Sequence, residues 1–162
     1  MLKEKLRAFA EADLHNILHW WAKHAPDEKN GGFYGAISHD NTPDEKADRF
    51  LVLFTRLLWT FTQAYDYTGE EKYQALAHRA YDYLTQKFHD PVYGGFYTYV
   101  NYQGEPANDR KFTYGNAYAV YALAEYARIF NHAAAKQLAQ KTAALLDEHM
   151  WDAPFMGYFE VA

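Results

Sequence analysis

Two hydrophobic patterns alternate along this chain. In the first, one face alone is apolar. Over residues 2–23 the large apolar side chains Leu6, Phe9, Leu14, Ile17, Leu18 and Trp21 recur at helical spacing among charged neighbours. Tyr73, Leu76, Ala80, Leu84 and Phe88 mark the same stripe over 70–88, and residues 133–150 carry it again. Each predicts a helix with one wet face. In the second pattern nearly every side is apolar: residues 50–67 hold Phe50, Leu51, Val52, Leu53, Phe54, Leu57, Leu58, Trp59 and Phe61, and 117–127 are similar. A helix apolar all round is expected to be buried all round.

The segments between these helices repeat. Asn30-Gly31-Gly32-Phe33-Tyr34 returns as Tyr93-Gly94-Gly95-Phe96-Tyr97, 63 residues on, and in weaker form as Met156-Gly157-Tyr158-Phe159, a further 62 on. An aspartate precedes each copy: Asp27, Asp90 and Asp152. Leu76, Leu84 and Phe88 match Leu138, Leu146 and Met150 at a shift of 62, and residues 49–61 match 111–123. The paired glycines suit tight turns that need positive φ, and the alternation after Tyr97 predicts a small hairpin over 97–104.

One-sided and buried helices in alternation predict an all-α fold, a partial α/α-toroid in which outer helices wrap an inner ring. A linear solenoid is the competing architecture, but solenoid repeats usually run shorter, about 33 to 47 residues. The units run approximately 1–68, 69–130 and 131–162 of a single incomplete domain. The third outer helix then has no inner partner before Ala162, and apolar faces are expected to stay open without the polar cap such ends carry.

Composition narrows the function. The 162 residues are 49% hydrophobic and 23% charged, with net charge -5, so no basic field invites nucleic acid or an anionic membrane. Without cysteine there is neither a disulfide framework nor a thiolate metal site. No apolar run has the length of a membrane span or a signal peptide, so the expected address is cytoplasmic. Aromatic residues make up 19%, with tyrosine in the majority. Most are expected in the core, yet such rings also suit sugars, whose C–H faces stack while their hydroxyls take hydrogen bonds.

Arg56 is the most informative residue. It interrupts an apolar inner helix, where an unpaired guanidinium is costly. Either it pairs with a carboxylate such as Asp48 or Glu125, or it points into the lumen to hold an oxygen that gains charge during reaction. At the repeat shift Tyr118 stands on the Arg56 position and Tyr114 on that of Val52, so both share a helical face with it in the lumen reading. Core packing is the other reading of these tyrosines. Trp59, Asn116 and Lys111 are companion candidates. His15 and His19 have metal-ligand spacing but no third ligand at recognisable spacing; the other six histidines fall at helix ends or on outer helices. Asp27 and Asp44 flank turns and are expected to cap helices.

The motifs together resemble the N-acylglucosamine 2-epimerase superfamily, and within it the cellobiose (mannobiose) 2-epimerases. The matching stretches are Asn16-Ile17-Leu18 with Trp20; Gly31-Gly32-Phe33-Tyr34-Gly35; Arg56-Leu57-Leu58-Trp59-Thr60-Phe61 with Ala64-Tyr65; Ala80-Tyr81-Asp82-Tyr83-Leu84; Gly94-Gly95-Phe96-Tyr97; and Tyr114-Gly115-Asn116-Ala117-Tyr118-Ala119 with Tyr121-Ala122-Leu123-Ala124-Glu125-Tyr126. The resemblance implies the N-terminal part of an (α/α)6 barrel that epimerises C2 of a reducing-end sugar through a cis-enediolate, with neither metal nor redox cofactor. It implies Arg56 as the partner of the enediolate oxygen and Tyr114 as a substrate contact. The family's catalytic histidines match none of the eight here, so this chain alone is expected to be inactive.

Three functions follow as expectations. The first is part of a sugar 2-epimerase completed by a missing C-terminal half. The second is a non-catalytic half-barrel that binds carbohydrate or forms a homodimer. The third is glycoside hydrolysis, for which the inner helices offer only Glu125 and Asp66 as paired carboxylates.

Overall fold

The computed structural model describes residues 2–161. Five helices follow one another: α1 (Leu2–His24), α2 (Leu51–Thr68), α3 (Glu71–Tyr83), α4 (Thr113–Phe130) and α5 (Ala133–His149). A π-helical turn, Leu84–Phe88, extends α3 and is closed by the His89 N–H on the Leu84 carbonyl at 3.1 Å. Four two-residue strands lie between the helices: β1 (Arg49–Phe50), β2 (Tyr99–Val100), β3 (Trp151–Asp152) and β4 (Gly157–Tyr158). The inner helices α2 and α4 lie side by side, α2 packs on α3, and α4 packs on α5. The architecture is an arc of an α/α-barrel, mostly helical with short antiparallel pairs.

The inner helices stop at equivalent places for the same reason. Gly69 and Asn131, 62 residues apart, both adopt positive φ (69° and 49°) and donate their N–H groups to Tyr65 and Ala127. Glycine and asparagine are the residues that tolerate this left-handed cap. The turn sends the chain straight back as α3 or α5, so each packing pair is an inner helix with the outer helix after it. The core between them is aromatic: Phe33, Phe54, Phe61, Tyr73, Phe88 and Phe96 are all buried.

The long connections hold each unit on a buried ion pair. Asp27 Oδ1 accepts the N–H groups of Lys29 and Asn30, and Oδ2 takes Arg49 Nη2 at 2.6 Å with both side chains buried. Arg49 Nη1 also donates to the Gly31 carbonyl at 2.7 Å. One repeat on, Asp90 accepts from the Val92 and Tyr93 amides and from Lys111 Nζ at 2.6 Å. Asp27 caps no helix, contrary to the sequence expectation; like Asp90, it fixes the Gly-Gly turn and ties it to the start of the next inner helix. Asp44 likewise binds the Lys46 amide inside a turn.

The predicted hairpin also forms differently. Its arms meet at the bridge between Val100 and Pro106, as Ile37 and Pro43 meet one unit earlier, and where Thr98 donates to the Arg110 carbonyl. β2 pairs instead with β1 of the preceding unit, Arg49 opposite Val100 and Phe50 opposite Tyr99. Arms of two residues cannot sustain a separate hairpin; they serve as zips between units. Phe112 and Val161 pair in the equivalent place one unit on.

Two faces depart from the expected burial. On α1 only Leu18 is buried, while Leu6, Phe9, Leu14 and Ile17 are 60%, 72%, 39% and 48% exposed. On α3 the counterparts of Leu14 and Ile17, Ala77 and Ala80, are buried where α3 packs on α2, a packing that α1 does not share. The second open face is a groove of about 540 Å³ between α4 and α5, lined among others by Val120, Ala124, Ala127, Ala139, Gln140 and Ala143. Shifted back by 62, these are Leu58, Thr62, Tyr65, Ala77, His78 and Tyr81. In that earlier unit Tyr126 stacks on Tyr81 at 4.6 Å and its hydroxyl meets His78 Nδ1 at 2.6 Å. This groove is therefore a helix-packing surface.

Candidate functional site

The lumen face of the two inner helices is a ladder of matched positions. On α2 the sequence runs Val52, Arg56, Trp59, Gln63, Asp66; on α4, at a constant shift of 62, it runs Tyr114, Tyr118, Tyr121, Glu125, Arg128. Steps of four and three residues keep each series on one helical face. Trp59 stacks on Tyr121 at 5.8 Å with 20° between the planes. The Gln63 amide donates to Glu125, and Arg128 reaches Asp66 at 3.6 Å.

The two ends of this ladder have different chemistry. At the floor Arg128 Nε also donates to Glu125 at 3.0 Å. The hydrogen bond from Arg128 leads in holding the Glu125 carboxyl below the ordinary carboxylate range; burial opposes it and the Gln63 contact adds to it. A group held ionised in this way is ill suited to general acid catalysis, where the value must be raised. Asp66 sits against the same arginine. Both carboxylates that glycoside hydrolysis would draw on are thus engaged by Arg128.

Above the floor lies a cleft of about 220 Å³ lined by Thr55, Arg56, Trp59, Thr60, Tyr118 and Tyr121. Arg56 is exposed in it, and among the described residues no carboxylate forms an ion pair with it. Glu125, one expected partner, is already taken by Gln63 and Arg128. The guanidinium faces open space with its donors free, between a tryptophan wall and a tyrosine. Tyr114, Tyr118 and Tyr121 are 42%, 43% and 54% exposed on the same side. Burial pushes the Tyr114 hydroxyl above its ordinary value, with Tyr99 and Glu160 adding to the shift, so it stays a protonated donor.

Asn116 belongs elsewhere. It is buried, its Oδ1 accepts the Phe96 N–H at 2.8 Å, and its Nδ2 donates to the Phe96 and Phe112 carbonyls. All of that serves the Gly94-Gly95 turn and none of it faces the cleft, a correction to its expected role as a sugar contact. Lys111 is likewise committed to Asp90. Tyr121 and the threonines beside Arg56 are cleft residues that the motif reading did not single out. The shift that sets Tyr118 against Arg56 also sets Tyr121 against Trp59, and that signal was present in the sequence. His15 and His19 stand exposed on α1, away from the cleft.

Residues 32–161, which include the whole ladder and both inner helices, match the family model of N-acylglucosamine 2-epimerase (GlcNAc 2-epimerase). The chain belongs to the N-acylglucosamine 2-epimerase family. Within it, the chain is 36% identical over 144 residues to a cellobiose 2-epimerase of Bacteroides fragilis, a match that takes in 89% of this chain and 37% of that protein. It is 27% identical over 146 residues to a D-mannose isomerase of Marinomonas mediterranea. Among solved structures, cellobiose 2-epimerase from Spirochaeta thermophila superimposes with a TM-score of 0.93 at 37% identity, covering 98% of this chain and 39% of that one. The chain thus spans little more than a third of the length of these relatives. Among the described residues no helix is long and apolar enough to cross a membrane.

Proposed function

We propose that the chain forms the oxyanion-holding wall of a sugar 2-epimerase. The observation that carries this reading is Arg56: a solvent-facing guanidinium with free donors, set in a cleft walled by Trp59, Tyr118 and Tyr121. When the proton leaves C2 of an open-chain sugar, negative charge moves onto the neighbouring oxygen and gives a cis-enediolate. A guanidinium already fixed beside that oxygen stabilises the charge without reorganising. The aromatic walls take the apolar faces of the sugar, and Tyr114, at the upper end of the ladder, keeps a hydroxyl to donate.

The ladder supplies no proton-transfer group poised near neutrality. Its titratable members are arginines, tyrosines and two carboxylates bound to Arg128, and epimerisation needs an acid and a base on opposite faces of the carbon. In this reading histidines on further inner helices of the complete barrel do that work, and the 162 residues alone do not turn over. No metal or redox cofactor enters the scheme. The partners are a mono- or oligosaccharide and the polypeptide that completes the ring, in a cytoplasmic setting. The exposed stripe of α1 and the α4/α5 groove favour a second arrangement, in which copies of the chain bury these faces in one another.

Titrating isotope-labelled chain with cellobiose tests the site. The Arg56 Nε–H and Trp59 indole N–H resonances are expected to move together while those of Arg128 stay. Movement confined to residues outside the ladder would refute the assignment.

A further inference from the structure

The two Gly-Gly turns share a backbone of positive φ but differ in what packs on them. Over Gly32 lies the ring of Tyr83: a Cβ on that glycine would stand 2.5 Å from Tyr83 Cδ2. The ring is buried and stacked on Phe54 at 4.9 Å and 28°, with Phe88 6.1 Å away and the Arg49 guanidinium 4.8 Å from its centre. One unit on, the positions of Tyr83, Phe54, Phe88 and Arg49 hold Leu145, Asn116, Met150 and Lys111. The cation is kept and all three rings are gone. Leu145 leans toward Gly94, 3.0 Å from where a Cβ would stand, and stays 3.7 Å from the same point on Gly95. What remains is a cavity of about 260 Å³, lined among others by Tyr93, Lys111, Asn116, Leu145, His149 and Met150. It shares no lining residue with the Arg56 cleft.

We propose that this cavity is a binding site for a single aromatic ring, a free phenol of the size of a tyrosine side chain. An apolar space of roughly 150 Å³ is enough to take benzene, so the volume suffices. The polar side chains around it are already spent. Asn116 is bonded to the Phe96 and Phe112 backbone, Thr113 Oγ1 to the Phe159 carbonyl, and Lys111 Nζ to Asp90. A sugar placed here would lose its hydration with few partners in return. An aromatic ring instead meets Leu145, Leu146 and Met150. The Lys111 ammonium already lies 5.7 Å and 5.6 Å from the Tyr93 and Tyr97 ring centres, and it takes the place from which Arg49 faces Tyr83. A cation in that place attracts the face of a π-system. The bound ring braces the Gly94-Gly95 turn as Tyr83 braces the turn one unit earlier.

p-Cresol, the tyrosine side chain as a free molecule, is the compound with which to test this. From the unsubstituted chain we expect saturable NOEs between its ring protons and the Leu145 and Met150 methyl groups. The urea midpoint should rise with its concentration, because the ligand binds the folded chain alone. 4-Methylcyclohexanol has the same heavy atoms but no π-face, and should bind about tenfold more weakly. Leu145→Tyr restores the side chain found at 83, fills the cavity and should abolish the NOEs to Met150. Leu145→Phe carries the same expectation should the tyrosine variant fail to fold. Absence of NOEs from the unsubstituted chain would overturn the site, as would their survival in the filled variants. Equal binding of 4-methylcyclohexanol would overturn the aromatic class. Leu145 shifts that grow with chain concentration, without p-cresol, would put a side chain of a second copy in the cavity and overturn the free ligand.

Discussion

At the scale of single residues, two arginines stand opposed, Arg49 spent on a buried ion pair and Arg56 free in the cleft. Arg49 is buried against Asp27, so removing the carboxylate strands a charge where it cannot be hydrated. Asp27→Ala is expected to cost about 3–5 kcal/mol, measured as the change in urea unfolding free energy. Arg56 has no such bond to lose. Arg56→Ala should leave stability within about 0.5 kcal/mol while abolishing the cellobiose-induced shift of the Trp59 indole. Together these outcomes separate a binding arginine from a structural one. The Asp90–Lys111 pair sets a pH dependence. Burial works to raise the Asp90 carboxyl, but the Lys111 hydrogen bond and the Tyr93 and Val92 amides outweigh it and hold it at about 2, below its ordinary 3.8. Its contribution is therefore whole above about pH 4 and lost as pH falls toward 2. Urea midpoints should fall over that interval, and Asp90→Asn should flatten the fall. The sequence marked Arg56 because charge interrupted an apolar run. It misplaced Asp27 and Asn116, because their partners, Arg49 and the Phe96 backbone, are 22 and 20 residues away.

At the scale of elements, the repeat was legible because helices of 13 to 23 residues carry several turns of pattern each. Strands of two residues carry none, and so the pairing of β1 with β2 across units could not be read locally. Asn116 shows how the two levels join. It sits on α4 yet its side chain closes the Gly94-Gly95 turn, with Oδ1 only 3.0 Å from where a Cβ on Gly95 would stand. Asn116→Ala would leave the buried Phe96 amide without its acceptor, a loss of about 1–3 kcal/mol, seen as a lower unfolding midpoint. Cleft binding of cellobiose should survive in the folded fraction, since the side chain faces away from the ladder.

At the scale of the whole molecule, α1 and the α4/α5 groove leave apolar surface where the same repeat, one unit away, is covered. Expected burial failed at these places for one reason: the pattern reports what a helix face needs and not whether a neighbour is there to meet it. Exposed stripes of this kind promote association. The sedimentation mass of the chain should rise with concentration, and replacing Leu6 and Phe9 together by lysine should suppress that rise with little change in unfolding midpoint, since both side chains are already exposed. The account as a whole rests on the ladder being the charge-stabilising wall of an epimerase and holding none of its proton-transfer groups. The most direct test is deuterium at C2 of cellobiose incubated in D2O with the 162-residue chain. No label should appear with the chain alone, and label should appear once the remaining inner-helix repeats are supplied and vanish again with Arg56→Ala. Label introduced by the chain alone, or label indifferent to Arg56, would contradict the account.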